Sequence, residues 1–125
     1  MPVSLDTNAR PILQIRYEGT LTEEDLTAHH AELDRVIDEW SAPFYLCIDI
    51  GDVNVPSGSR DLMMAWGKRF ESERAGTNAG VAFVTDSRIA RSILRSLHWV
   101  ARPRYDWEIV KDHASGMAWL RRRSA

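Results

Sequence analysis

The sequence predicts an α/β domain built on a mostly parallel, mixed sheet, and three observations carry that prediction. Phe44 to Ile48 and Gly80 to Thr85 are apolar almost throughout, the pattern of strands covered on both faces in a parallel sheet. Segments of helical length, with apolar residues every three or four positions, separate the strand-like runs; such a helix returns the chain to the same sheet edge, so the strands pair in parallel. Near the N-terminus, Leu13, Ile15 and Tyr17 alternate with Gln14, Arg16 and Glu18 just after another short strand-like run, which places a β-hairpin in front. The order is β-β-α-β-α-β-α-β-α, expected as one domain over 1–125. At 125 residues with 44% hydrophobic and 27% charged content, the chain is long enough to bury one continuous core.

Each element has its own signals. Met1 to Leu5 and Pro11 to Glu18 form the hairpin strands, separated by Asp6-Thr7-Asn8-Ala9-Arg10, and Gly19 breaks the second run. Thr22 with Asp25 resembles a capping pair, and Glu23, Glu24 and Asp25 put negative charge in the first turn of a helix. Leu26, His30, Leu33, Ile37 and Trp40 lie on one stripe of that helix, which stops near Ser41-Ala42-Pro43. Phe44 to Ile48 is the central strand and Asp49 to Gly58 a polar loop; a second helix follows with Leu62, Met63, Trp66 and Phe70 and ends around Gly76. After Gly80 to Thr85, Thr85-Asp86-Ser87 supplies caps for a third helix, on which Ile89, Ile93, Leu94, Leu97 and Val100 are expected to face inward before Pro103 closes it. Tyr105, Trp107 and Ile109 alternate with Asp106, Glu108 and Val110 as the last strand, and Asp112 caps a final helix carrying Met117, Trp119 and Leu120.

Composition narrows the function classes. No apolar stretch approaches the roughly 18 residues that cross a bilayer, and Met-Pro-Val-Ser-Leu-Asp at the start has neither a basic region nor an apolar one, so a secreted or membrane-spanning protein is not expected. Cys47 is the single cysteine, which excludes an internal disulfide and fits a reducing, cytoplasmic setting. The net charge of −2 hides an asymmetry: residues 1–52 hold 3 basic and 11 acidic side chains, residues 53–125 hold 13 basic and 7 acidic. Such asymmetry points either to an anionic partner or, more plainly, to acidic and basic surfaces that face each other or a second subunit. Nucleic acid is not an expected partner, because the aromatics fall mostly at core-period positions and the chain is not net positive.

Several residues invite a chemical reading beside a plainer one. Ser57, Gly58, Ser59 and Arg60 open the second helix, where free N–H groups and the positive dipole end suit an anion; serine is equally an ordinary helix cap. Arg88, Arg91, Arg95, His98 and Arg102 form a basic stripe on the third helix that suits phosphate, carboxylate or an acidic helix, or simply a solvated face. His29, His30 and Asp34 offer helical metal-ligand spacing without a third ligand at a recognisable spacing, and His30 sits on the apolar stripe, so no metal is expected. Asp49 and Asp52 fall where the central strand ends, the side on which open α/β sheets bind ligands, though loop-starting Asp residues also serve turns. Cys47 reads as a buried, inert thiol, and no phosphate loop or Gly-x-Ser-x-Gly elbow occurs. The readings weighed against each other are an interaction module, a small-ligand or lipid-head-group carrier using Trp40, Trp66 and Trp99, and an enzyme relying on Asp49, Asp52 and His30.

The whole order of elements resembles the STAS-like (SpoIIAA-like) domains, related to sulfate-transporter tails and anti-sigma-factor antagonists. The likeness rests on Tyr17-Glu18-Gly19-Thr20-Leu21-Thr22, Cys47-Ile48-Asp49-Ile50, Gly80-Val81-Ala82-Phe83-Val84 and Ala118-Trp119-Leu120. In the antagonists a phosphorylatable serine opens the helix after the central strand in an Asp-Ser-Ser-Gly-like sequence; here Ser57 or Ser59 stands at that place, without the Asp. The resemblance implies a regulatory, binding or interaction module with no chemistry of its own; the expectation built on it and on the residues above is such a module without a cofactor, a homodimer, with a protein partner or a small anionic ligand at Ser57 to Arg60 and Arg88, Arg91 and Arg95.

Overall fold

A computed structural model describes residues 2–125, which form a five-stranded sheet and four helices. Strands β1 (Val3–Ala9), β2 (Ile12–Thr20), β3 (Phe44–Asn54), β4 (Asn78–Val84) and β5 (Asp106–Val110) lie side by side in sequence order; β1 runs antiparallel to β2 and every later neighbour is parallel. Helices α1 (Glu23–Trp40), α2 (Ser57–Glu73) and α3 (Arg88–Ala101) connect the parallel strands, and α4 (His113–Ser124) closes the chain. This is the predicted mixed α/β architecture in the predicted order, with Phe44 to Ile48 beside and parallel to β4.

The period-two alternation of the strands divides the core. Leu13, Ile15 and Tyr17 of β2, Phe44 and Leu46 of β3 and Val81 of β4 point to the face covered by Leu26, Leu33 and Ile37 of α1 and Phe70 of α2. Ile12, Cys47, Ala82 and Val84 point to the other face, where Met117 and Leu120 of α4 cover them. Three caps form as their residue types predict: Thr22, Ser87 and Asp112 accept from the N–H of Asp25, Ala90 and Ser115.

Two boundaries differ from expectation. Asp6 to Ala9 belong to β1 rather than to a connector; the hairpin closes within Arg10 and Pro11, and a register shift between Asp6 and Ala9 absorbs the polar run. Met1, expected in that strand, lies outside the described residues. Residues 49–54, expected as loop, extend β3, because β2 is long enough to pair with them: Arg16 faces Asp49, Tyr17 faces Ile50 and Thr20 faces Asn54. Gly19, at φ +76°, accommodates the register shift in this stretch.

Helix α4 approaches the sheet through Gly116. A Cβ there would stand 3.0 Å from Val84 Cγ2 and 3.4 Å from both Cys47 Sγ and Val110 Cγ2. Gly116→Val is therefore expected to push α4 off the sheet and lower stability by about 1–3 kcal/mol, the usual cost of overpacking, as read from the urea midpoint.

Candidate functional site

Helix α3 carries the largest departure from the sequence expectation. Ile89, Ile93, Leu97 and Val100 do not face inward: they are 75%, 55%, 59% and 86% exposed, and Trp99 beside them is 76% exposed. Leu94 is the one member of the expected inner set that turns away from solvent. The polar side of the helix sits on the protein instead. His98 packs on Phe83, 4.7 Å between ring centroids, and on Trp107 at 4.8 Å, and its Nδ1 lies 2.7 Å from Leu94 O. Arg91 Nη1 donates to Thr85 O at 2.9 Å, and Arg95 Nη2 donates to Ile109 O at 3.3 Å. The carbonyls at the ends of β4 and β5 thus take up guanidinium donors, and the β-branched and leucine side chains are left outside. Of the basic stripe, Arg88, Arg95 and Arg102 are exposed and Arg91 is half-buried; Arg91 and Arg95 spend donors on the backbone, and Arg95 Nη1 also lies 4.0 Å from Glu108 Oε1.

The start of α2 is already supplied with an anion. Pro56 occupies the cap position, Ser57 is the first helical residue, and Ser59 is buried. No acidic residue lies in the first turn of α2, but the Glu23 carboxylate of α1 packs over it, so that a Cβ at Gly58 would come within 2.8 Å of Glu23 Oε2. That carboxylate meets the positive end of the helix from within the fold.

At the carboxyl end of the sheet a cavity of about 670 Å³ opens between the starts of α3 and α4, lined among others by Arg16, Asp49, Asp52, Ser87, Lys111 and His113. Neither the Ser57–Arg60 segment nor Arg88, Arg91 or Arg95 lines it. Asp49 and Asp52, expected beyond the strand, sit within β3. Asp49 is held by Arg16 Nη1 at 3.2 Å and lies 3.5 Å from His113 Nδ1, while His113 Nε2 lies 3.0 Å from Gln14 Oε1. Cys47 Sγ is 3.9 Å from the same Nδ1. A cysteine, a histidine and an aspartate therefore meet, but not as a nucleophilic relay, in which the base shows one nitrogen to the nucleophile and the other to the acid. Cys47 is fully buried, and burial, with the Asp49 charge second, pushes its thiol up to about 12. Arg16 and His113 were missed by sequence reading because they come from opposite ends of the chain, with no spacing to link them to Asp49.

His29 and His30 are structural. His29 Nε2 lies 3.0 Å from the Tyr17 hydroxyl, and His30 stacks on Trp66 with ring centroids 4.2 Å apart. Asp34 accepts from Arg74 at 3.2 Å. Among the described residues no group of three His, Cys, Asp or Glu is placed to hold a metal ion.

On the α1–α3 face, a cavity of about 170 Å³ between the sheet and α2 is lined by Leu46, Ile48, Trp66, Phe70, Asn78 and Tyr105 among others. It adjoins a groove of about 490 Å³ between α2 and α3; Gly67, Glu71 and Tyr105 border both. Asn78 Oδ1 is buried and finds no hydrogen-bond partner among the described residues. Trp40 packs at the margin of the core and Trp99 is exposed, so of the three tryptophans proposed for a pocket only Trp66 lines this one.

Comparison with known proteins locates the fold. No family model and no curated protein matches the chain. Among solved structures, an uncharacterised DUF3478-family protein from Shewanella loihica PV-4, described as having a SpoIIAA-like fold, superposes with a TM-score of 0.72 over 94% of this chain and 91% of its own, at 15% identity. The chain therefore has the SpoIIAA-like fold that its order of elements suggests; at that identity the likeness concerns the fold alone.

Both buried histidines predict a pH dependence. Burial holds His29 and His30 down at about 4, with His30 also depressing His29. The unfolded chain, with histidines near their ordinary 6.5, binds protons first, so stability is level above that value and falls with decreasing pH until the folded-state values are passed. The urea midpoint is expected to drop between about pH 7 and about pH 5 and to drop less in His30→Phe; equal midpoints at the two pH values would contradict this.

Proposed function

We propose that this chain is a docking module without chemistry of its own, a regulatory or interaction domain that engages its partner through the outward face of α3. The observation that carries the reading is the orientation of that helix: four aliphatic side chains and a tryptophan stand in solvent on one element while Arg91, Arg95 and His98 reach toward the sheet. Scattered exposed apolar residues are ordinary, but a contiguous stripe on a well-formed helix marks a surface that is covered in the working state. The SpoIIAA-like fold and the sealed thiol of Cys47 agree with a binding role. In Ile93→Asp/Val100→Asp, stability is expected to stay within about 0.5 kcal/mol of the parent, as for other surface substitutions, while the enhanced fluorescence of an apolar dye on the folded protein is lost. Unfolding of that variant would place the stripe in the core and sink the reading.

A second reading, a small-ligand carrier, has its own support in the cavity beneath α2. Its wall is aromatic and aliphatic, with Asn78 Oδ1 as a buried acceptor lacking a donor, which suits a ligand with an apolar body and one hydroxyl or amide N–H. Titration with a medium-chain alcohol is expected to change tryptophan fluorescence saturably in the parent and not in Trp66→Phe; an unresponsive parent counts against a carrier.

A further inference from the structure

We infer that the partner of α3 is an anionic lipid surface, on which the helix lies flat; the inference rests on the docking reading above and names what is docked to. Every formal charge between Ser87 and Tyr105 is positive: Arg88, Arg91, Arg95, Arg102 and Arg104, with no acidic residue in the interval. The row of Ile89, Ile93, Leu97 and Val100 faces solvent with the exposed Ser92, Ser96 and Ala101 beside it; Arg88 stands exposed at its N-terminal end, and Trp99 and Arg102 lie beside Val100 at its C-terminal end. An apolar row, an exposed guanidinium at each end of the helix and a tryptophan beside the row are the parts of a helix that lies in the interface plane, the row entering the acyl region while Arg88 and Arg102 remain at the headgroups. Fourteen residues span about 21 Å at 1.5 Å per residue, too short to cross the roughly 30 Å apolar slab and suited to lying along it.

A second copy of the chain fits this surface less well. A two-fold contact of α3 on α3 brings two helices of one charge sign together, each with Arg88 and Arg102 exposed. Contact with the acid-rich α1 of another copy satisfies charge but not the apolar row: the exposed large hydrophobics among the described residues are, outside α3, Met64 alone. An anionic bilayer offers negative charge and an apolar interior at once. The helix is already folded and capped by Ser87, so adsorption does not have to nucleate it, unlike a disordered amphipathic segment.

The test is flotation of the purified full chain with vesicles of phosphatidylcholine alone or mixed in equal parts with phosphatidylglycerol. The parent is expected to float with the mixed vesicles and not with phosphatidylcholine alone, and to be released as salt is raised. Ile93→Asp/Val100→Asp and, separately, Arg88→Gln/Arg102→Gln are each expected to weaken binding by about tenfold or more, and the blue shift of emission on adding mixed vesicles should vanish in Trp99→Phe. Failure to float with mixed vesicles overturns the inference, as does equal binding to uncharged ones. Should light scattering instead show a dimer that the aspartate pair splits, or a protein ligand occupy the stripe, the lipid inference falls while the docking reading stands; only unfolding of the aspartate pair removes both.

Discussion

Everything in this fold depends on the register of β3 against β4. Tyr45 opposite Gly80, Cys47 opposite Ala82 and Asp49 opposite Val84 put small residues of β4 under α4, and with Gly116 on the helix they let α4 settle close to the sheet. The alternate residues, Phe44, Leu46 and Ile48, then meet α1 and α2 on the opposite face. A slip of one residue would send Phe44 toward the glycine-lined side and Cys47 toward bulky neighbours, so both faces select the same register. The register also fixes where charge is stored: it brings Asp49 level with Arg16 on β2 and beneath His113 of α4, a compensated cluster at the carboxyl end of the sheet.

The orientation of α3 follows from what the sheet offers at that edge. Phe83 and Trp107 present aromatic rings, against which His98 packs edge-on and tilted, and the carbonyls of Thr85 just after β4 and Ile109 near the end of β5 present acceptors within reach of arginines. With the helix turned the other way, Thr85 O and Ile109 O would lose their guanidinium donors, and part-buried carbonyls left unpaired are costly. Turned as it is, the helix leaves its aliphatic row in water, at roughly 25 cal/mol for each Å² that stays exposed. That cost is recoverable only by an external apolar surface, and this distinguishes α3 from α1, whose row is buried within the chain.

Much of the architecture was legible in the sequence because it rests on local rules. The Thr22, Ser87 and Asp112 caps, the stripe of α1 and the two-sided apolar runs of β3 and β4 each need only neighbouring residues to be recognised. What escaped depended on distant partners. The polar residues Asp49 to Asn54 read as loop until β2 supplies a strand for them to pair with. Ser57 and Ser59 read as an open helix start until Glu23 is seen to fill it. The periodicity of α3 revealed that the helix has an apolar and a basic side but not which one faces the sheet, since a hydrophobic stripe is the same signal whether its cover is the chain itself or something else.

The charge asymmetry of the chain acquires a physical meaning from these placements. In the acidic N-terminal half much of the charge is answered internally: Glu23 meets the start of α2, Asp34 and Asp38 meet Arg74, and Asp49 meets Arg16. In the basic half, Arg95 meets Glu108, while the exposed Arg88 and Arg102 have no ion-pair partner among the described residues and share their helix with an uncovered apolar row. Charge left unanswered on the same helix as apolar area left unburied is a combination that neither solubility nor internal packing requires, since a solvated face needs no aliphatic row and a core face needs no exposed arginines. The two features share one helix, and a partner that satisfies both at once accounts for them with a single contact.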